Sequence, residues 1–343
     1  MTKLTTVGLA AAFALTLCRA SAQNSSALQQ MDAVQQRERL SRAAKSSENE
    51  VPAPELYRGE TNDVGPQSIL QFKPRKTYFE AIADAQYFFT DNMFLNQHDK
   101  QHADVLVSTA QFALAPTAYD LWDGQFAPRL GYRHQWFDFG LISDKQVTVA
   151  DFNTLTVHDV GLNAFDFNVQ TVFTDARWAR GNWIFMAGFD FTRLLDTDHY
   201  DQFYREYVPR WGVQRNFTLN EKTVVSLGYE GDYRFADTDF PPPTLSSDFE
   251  SRTDHSLLAS LSYNLCAQSV LQPYYRFKYT HFTQGEKRDD YLNSFGLALY
   301  FTITRQITMR GFVGYDIMNT NSDFVPDYNV FNAGGGINLT IRF

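Results

Sequence analysis

The sequence predicts an all-β fold: a closed antiparallel transmembrane β-barrel of about 12 strands, preceded by a short N-terminal helix and a linker. Three observations predict it. Apolar and polar residues alternate with period two from Thr77 to Phe343. Most of these runs reach the roughly 9 to 11 residues that a tilted strand needs to cross a bilayer, against about 5 or 6 for a soluble strand. The links between runs alternate between tight turns and long loops, which an even strand number sorts onto opposite rims.

The first element is a leader over 1–22. Lys3 gives a positive start, Val7 to Leu17 an apolar core, and Ala20-Ser21-Ala22 a cleavage site, so the mature chain is expected to begin at Gln23. Cys18 offers a lipoprotein alternative, but Leu15-Thr16-Leu17 before it puts a bulky Leu where lipoprotein signals have a small residue. The apolar stretch from Val7 to Cys18 falls short of the roughly 20 residues of a membrane-crossing helix. The 343-residue chain carries a formal charge of -9, and losing Lys3 and Arg19 with a leader that has no Asp or Glu lowers it by two, to -11. That balance argues against nucleic acid as a partner. Cys266 is then the one cysteine left, which excludes an internal disulfide and a cysteine metal cluster.

Residues 23–76 form the second region, read as a periplasmic helix and linker. Leu28, Met31, Val34 and Leu40 follow one another at spacings of three, three and six, and Ser25 or Ser26 can cap, so an amphipathic helix is expected over 26–44. Val51-Pro52-Ala53-Pro54 and the Gly and Pro residues up to Pro74 mark a linker.

The third region, 77–343, is the barrel. Strands are expected near 77–90, 103–114, 128–138, 164–178, 183–194, 206–217, 223–235, 254–265, 270–282, 291–303, 306–317 and 328–343. In the first, Phe79, Ala81, Ala83, Ala85, Tyr87 and Phe89 share one face and Glu80, Asp84 and Gln86 the other. In the fourth, Phe165, Phe167, Val169, Thr171 and Phe173 alternate with Asp166, Asn168 and Gln170. The apolar set is assigned to lipid in each case, because hydrocarbon leaves no partner for a polar side chain. Aromatic residues collect at run ends, as with Trp183 and Phe191 or Tyr229 and Phe235, and suit two interfacial girdles. Tight links at 179–182, 219–222 and 266–269 and at Arg305 oppose long ones at 139–163, 195–205, 236–252, 283–290 and 318–327; only 115–127 breaks the series. Phe240-Pro241-Pro242-Pro243 is expected to be a stiff element of one loop, and Gly334-Gly335-Gly336 a point of close packing in the wall.

The last run, Leu339, Ile341 and terminal Phe343 alternating with polar residues, resembles the C-terminal strand of the bacterial outer-membrane β-barrel family. The resemblance spans 77–343 and is general to that family. It implies an outer-membrane location, contact with lipid and lipopolysaccharide, and recognition of Phe343 by the barrel-assembly machinery as an assembly signal. An even strand number places both barrel ends on the periplasmic side.

Strand parity turns Glu80, Asp84, Arg129, Arg133, Asp166, Glu230, Asp232, Arg234, Arg276, Lys278 and Arg310 toward the lumen. Such a mixed-charge interior either lines a passive channel for small hydrophilic solutes or closes on itself through paired charges, and the sequence leaves open whether 23–76 folds into it as a plug. A structural anchor that uses the helix to hold periplasmic material is the alternative. A rim hydrolase is less favoured. Its candidates, Asp254-His255-Ser256 and the loop group Asp196, Asp198 and His199, lack a base beside a nucleophile, because adjacent strand residues face opposite ways. No cofactor, metal site or catalytic residue is expected. The acids of the long loops, such as Asp237, Asp239 and Asp289, have no calcium-loop spacing.

Overall fold

The computed structural model describes residues 26–40, 77–143, 145–151, 156–239, 241, 245–323 and 325–343. The expected leader lies outside them, as do residues 41–76 of the linker and most of the Phe240 to Pro243 element. One helix, α1, covers 26–40. Fifteen strands follow: β1 Phe79–Thr90, β2 Ala103–Leu114, β3 Tyr119–Leu121, β4 Gly124–Phe139, β5 Gln146–Asp151, β6 Thr156–Gly161, β7 Phe167–Arg180, β8 Trp183–Asp196, β9 Gln202–Asn220, β10 Thr223–Thr238, β11 Arg252–Cys266, β12 Ser269–Phe282, β13 Asp289–Thr302, β14 Ile307–Thr320 and β15 Tyr328–Arg342.

β1, β2, β4 and β7 to β15 form a closed wall of 12 antiparallel strands. Closure is made by β1 and β15, in register from Glu80 opposite Arg342 to Thr90 opposite Asn332. Phe343 extends this seam, its backbone NH donating to Phe79 O at 3.0 Å and its carbonyl accepting from Phe79 N at 2.9 Å. A ring without edges is what hydrocarbon demands, since an unpaired amide there costs several kcal/mol. No described helix is long and apolar enough to cross a membrane.

The face that looks outward is apolar. Leu257 is 56% exposed and Phe112 50%, and Phe295, Leu297, Leu339 and Ile341 are likewise open, all on the outward parity of their strands. Large apolar side chains exposed on the outward parity of strand after strand are what a lipid-facing surface requires, whereas soluble proteins leave only small apolar patches bare.

Tight turns join β7 to β8, β9 to β10, β11 to β12 and β13 to β14, on the rim where β1 starts and Phe343 ends. The other rim carries the long connections. Three short strands were not legible in the sequence: β3 pairs with β4 in the 115–123 link, and β5 pairs with β6 inside the longest loop. The loop after β1 folds inward over the mouth: Met93 is 2% exposed, Leu95 packs with Leu292, Met318 and Tyr328, and Asn92 Nδ2 donates to Asn329 O at 3.0 Å.

Candidate functional site

α1 lies inside the barrel. The helix expected on the periplasmic side is therefore in the lumen, and none of its residues is exposed. Its first turn is fastened at the long-loop rim, where Ser26 Oγ donates to Met93 O and Tyr328 OH to Gln29 Oε1. From there it descends to about mid-barrel. The apolar stripe that predicted the helix, Leu28, Met31 and Val34, is almost wholly buried against Phe137, Phe139, Phe167, Val169 and Leu194 of the wall. A helix buried on every side is ordinarily apolar on every side. Here the opposite face is charged, and the wall answers it.

Four side chains of α1 make that connection. Asp32 accepts from Arg234 Nη2 at 3.0 Å and from Lys278 Nζ at 3.3 Å. Arg39 Nη1 donates to Glu230 Oε2 at 3.0 Å. Glu38 lies 3.7 Å from Arg133 Nη1 and accepts from Thr109 Oγ1 and Gln135 Nε2 at 3.3 Å each. Arg37 sits over the rings of Phe312 and Phe88, 4.2 and 4.8 Å from their centroids, a cation–π arrangement. α1 is thus held by polar pairs on one side and by apolar packing on the other.

The wall charges have their own pattern. Arg234 is a hub, its Nε 3.2 Å from Asp232 and 3.0 Å from Asp254 and its Nη1 3.3 Å from Glu206. Arg310 clasps Asp84 with two bonds of 2.7 Å. Nearer the tight-turn rim, Glu80 accepts from Arg129 Nη2 at 2.7 Å and from Arg342 Nε at 3.0 Å. Arg276 donates through Nε and Nη2 to Ser256 Oγ at 3.3 and 3.2 Å.

Of the residues assigned to the lumen by parity, Glu80, Asp84, Arg129, Arg133, Glu230, Asp232, Arg234, Arg276, Lys278 and Arg310 lie on the inward face of their strands, half-buried or buried. Asp166 does not. It follows a short 3-10 turn over Leu162–Phe165 at the rim, where its Oδ1 accepts from Phe139 N at 2.7 Å. The reason is a reversed face: Phe167, Val169, Thr171 and Phe173 point into the barrel, and Val172, 48% exposed, points out. Phe167 and Val169 pack in one cluster with Phe137 and α1, an apolar neighbour that sequence alone does not separate from lipid.

Sequence reasoning left open whether the N-terminal segment enters the lumen and named none of the α1 residues that meet the wall, and it also missed Glu206, a wall partner of Arg234. Parity would have found Glu206, since it is an inward position just within the start expected for that strand. Asp32, Glu38 and Arg39 carry no such signal. Neither histidine group singled out in the sequence is assembled: His255 faces outward with its Nδ1 2.8 Å from Tyr229 OH, while Asp254 faces inward onto Arg234. His199 is exposed in a loop, where its backbone NH donates to Asp196 Oδ1 at 2.7 Å.

No family model matches this chain, and no curated protein matches it in sequence. Among solved structures it is similar to an outer membrane channel from Pseudomonas putida F1, with a TM-score of 0.50 and 12% identity over 81% of this chain and 100% of that one. It is also similar to the transport unit of the autotransporter AIDA-I from Escherichia coli, with a TM-score of 0.43 and 9% identity over 80% of this chain and 93% of that one. The KdgM porin gives a TM-score of 0.36 and 10% identity over 75% and 98%. The first of these likenesses carries the fold, that of a bacterial outer-membrane β-barrel.

Proposed function

We propose that this protein is a channel of the bacterial outer membrane for small hydrophilic solutes, and that α1 holds it closed in the form described here. The observation that carries this reading is how α1 is held. A lumen filled only for stability would be served by apolar packing, since replacing buried ion pairs with apolar groups is often neutral or stabilising. Here Asp32, Glu38 and Arg39 instead face Arg234, Lys278, Arg133 and Glu230. Once α1 leaves, those wall residues line a water-compatible path and shape its selectivity. In this reading the long loops face outward, Thr77 and Phe343 face the periplasm, lipid and lipopolysaccharide cover the apolar band, and Phe343 serves the barrel-assembly machinery as a signal.

The test is single-channel recording in planar bilayers on the mature protein and on a form lacking 26–40. Rare openings in the first and sustained current in the second are expected. Silence in both, from protein whose folded state is shown by heat-modifiable gel mobility, overturns the proposal.

A further inference from the structure

Asp32 marks a place in the wall built to hold an acid. Its carboxylate is shared between β10 and β12, one cation to each oxygen: Arg234 Nη2 at 3.0 Å from Oδ1 and Lys278 Nζ at 3.3 Å from Oδ2. The three side chains are 9 to 12% exposed. Arg234 has wall partners of its own in Glu206, Asp232 and Asp254. Lys278 does not: among the described residues Asp32 is the carboxylate within ion-pair distance of it, and Arg276, two residues away on the same face of β12, has none. When α1 leaves, two neighbouring cations lose or lack a carboxylate. Cations left without a carboxylate in a narrow lumen attract an anion.

The surroundings narrow the kind of anion. Beside the Asp32 carboxylate is a cavity of about 30 Å³, lined among others by Tyr274, Arg276, Ser294 and Asp316. The hydroxyl of Tyr274 suits a hydroxylated carbon skeleton, and Asp316, which takes a side-chain hydrogen bond from Ser294, opposes a second negative charge.

We propose that the seat of Asp32 is a carboxylate-binding site of the open lumen, taken by a singly charged acidic solute of sugar size, and that Asp32 closes the channel by occupying it in the solute's place. This rests on the channel reading above. The seat itself is tested without current.

The experiment is calorimetric titration of the full mature chain in detergent with acetate, D-glucuronate and D-glucose. Asp32→Ala empties the seat while leaving the rest of α1 in place. Acetate, small enough for the space that Asp32→Ala opens beside the cavity, is expected to bind that variant at least about tenfold more tightly than it binds wild type, the scale of a charge-assisted pair, while glucuronate, which needs α1 displaced, is expected to bind the form lacking 26–40 about tenfold more tightly than glucose does. Adding Lys278→Gln to Asp32→Ala is expected to weaken acetate by a similar factor. Acetate that binds Asp32→Ala no better than wild type, or that ignores Lys278→Gln, overturns the seat. Should Asp32→Ala fail to fold, reversal potentials in a potassium chloride gradient decide: wild type is expected to prefer anions and Lys278→Gln to lose part of that preference, and equal values overturn the proposal. Current without acetate binding removes the seat and keeps the channel. Acetate binding with a silent bilayer keeps the seat and removes its role in an open channel.

Discussion

Arg310 on β14 reaches past β15 and grips Asp84 on β1, both terminal nitrogens at 2.7 Å from a carboxylate oxygen. β15 contributes Asn338, whose Nδ2 donates to the same carboxylate at 3.1 Å. The residue opposite Arg310 on β15 is Gly336, so no side chain stands in the way of the crossing guanidinium. The pair therefore ties the two strands on either side of the last one, at the seam where the barrel closes.

Asp84→Ala is expected to destabilise the barrel by about 3 to 5 kcal/mol, because it leaves Arg310 buried and unpaired. Arg310→Lys should recover little of what Arg310→Ala loses, since an ammonium cannot make the two parallel bonds. Urea unfolding in detergent followed by tryptophan fluorescence reads both. An unchanged midpoint for Asp84→Ala would remove the pair from the account of closure.

Gly336→Ala is expected to lower the fraction of chain that reaches the heat-modifiable folded form. A Cβ at Gly336 would stand 2.7 Å from Ala85 O and 3.0 Å from Gln86 Cβ, so β15 must shift away from β1. Overpacking of this sort costs about 1 to 3 kcal/mol. Gly311 is the control, with nothing within 4 Å of its Cβ position. Equal folding yields for the two variants would contradict the close approach.

Arg39→Ala is expected to raise the open probability by about fivefold, the equivalent of about 1 kcal/mol. The Arg39 to Glu230 pair is 3.0 Å long, but its side chains are 36% and 24% exposed, so solvent screens much of its attraction. Glu230→Gln should give a similar increase and the double variant no more than either alone, the signature of one shared contact. A double variant whose effect is the sum of the two single ones in free energy would mean that the residues act apart.

The loop that ends at Asp166 should loosen as pH rises. Burial, helped by the nearby charges of Asp138 and Asp198, pushes the Asp166 carboxyl up to about 6, although the Phe139 NH that it accepts works the other way. A carboxyl raised in the folded state binds its proton more tightly there than in the unfolded chain. Its contribution is therefore full below about pH 4 and lost as pH rises through about 6. Hydrogen exchange at the Phe139 amide, corrected for the intrinsic rate, should show less protection at pH 7 than at pH 5. Asp166→Asn should flatten that difference, and a wild-type protein already flat across this range would contradict the shift.

The wall was legible because lipid imposes a strict period of two, and every expected wall strand is present. Its ends were less so: β9 runs over Gln202–Asn220 where 206–217 was expected, since the alternation outlasts the hydrocarbon and continues into the aqueous rim. Face assignment failed at β7 for a physical reason. Phe167 and Val169 are apolar because they meet α1 and Phe137, and a period says nothing about which apolar neighbour a face has. The helix followed from Leu28, Met31 and Val34, but its place did not. Asp32 finds Arg234 and Lys278 across more than two hundred residues of chain, and nothing local announces such a pairing.

α1 stands inside a ring whose strands are hydrogen-bonded all the way round. That arrangement constrains its history as well as its stability. A rod within a finished hoop either was present when the hoop was joined or slid in end first afterwards. In the former order the bonding of β1 to β15 is the final act of assembly and captures α1. In the latter Ser26 or Leu40 leads the way through a mouth, and the charged groups of α1 cross the lumen in sequence before they find their partners.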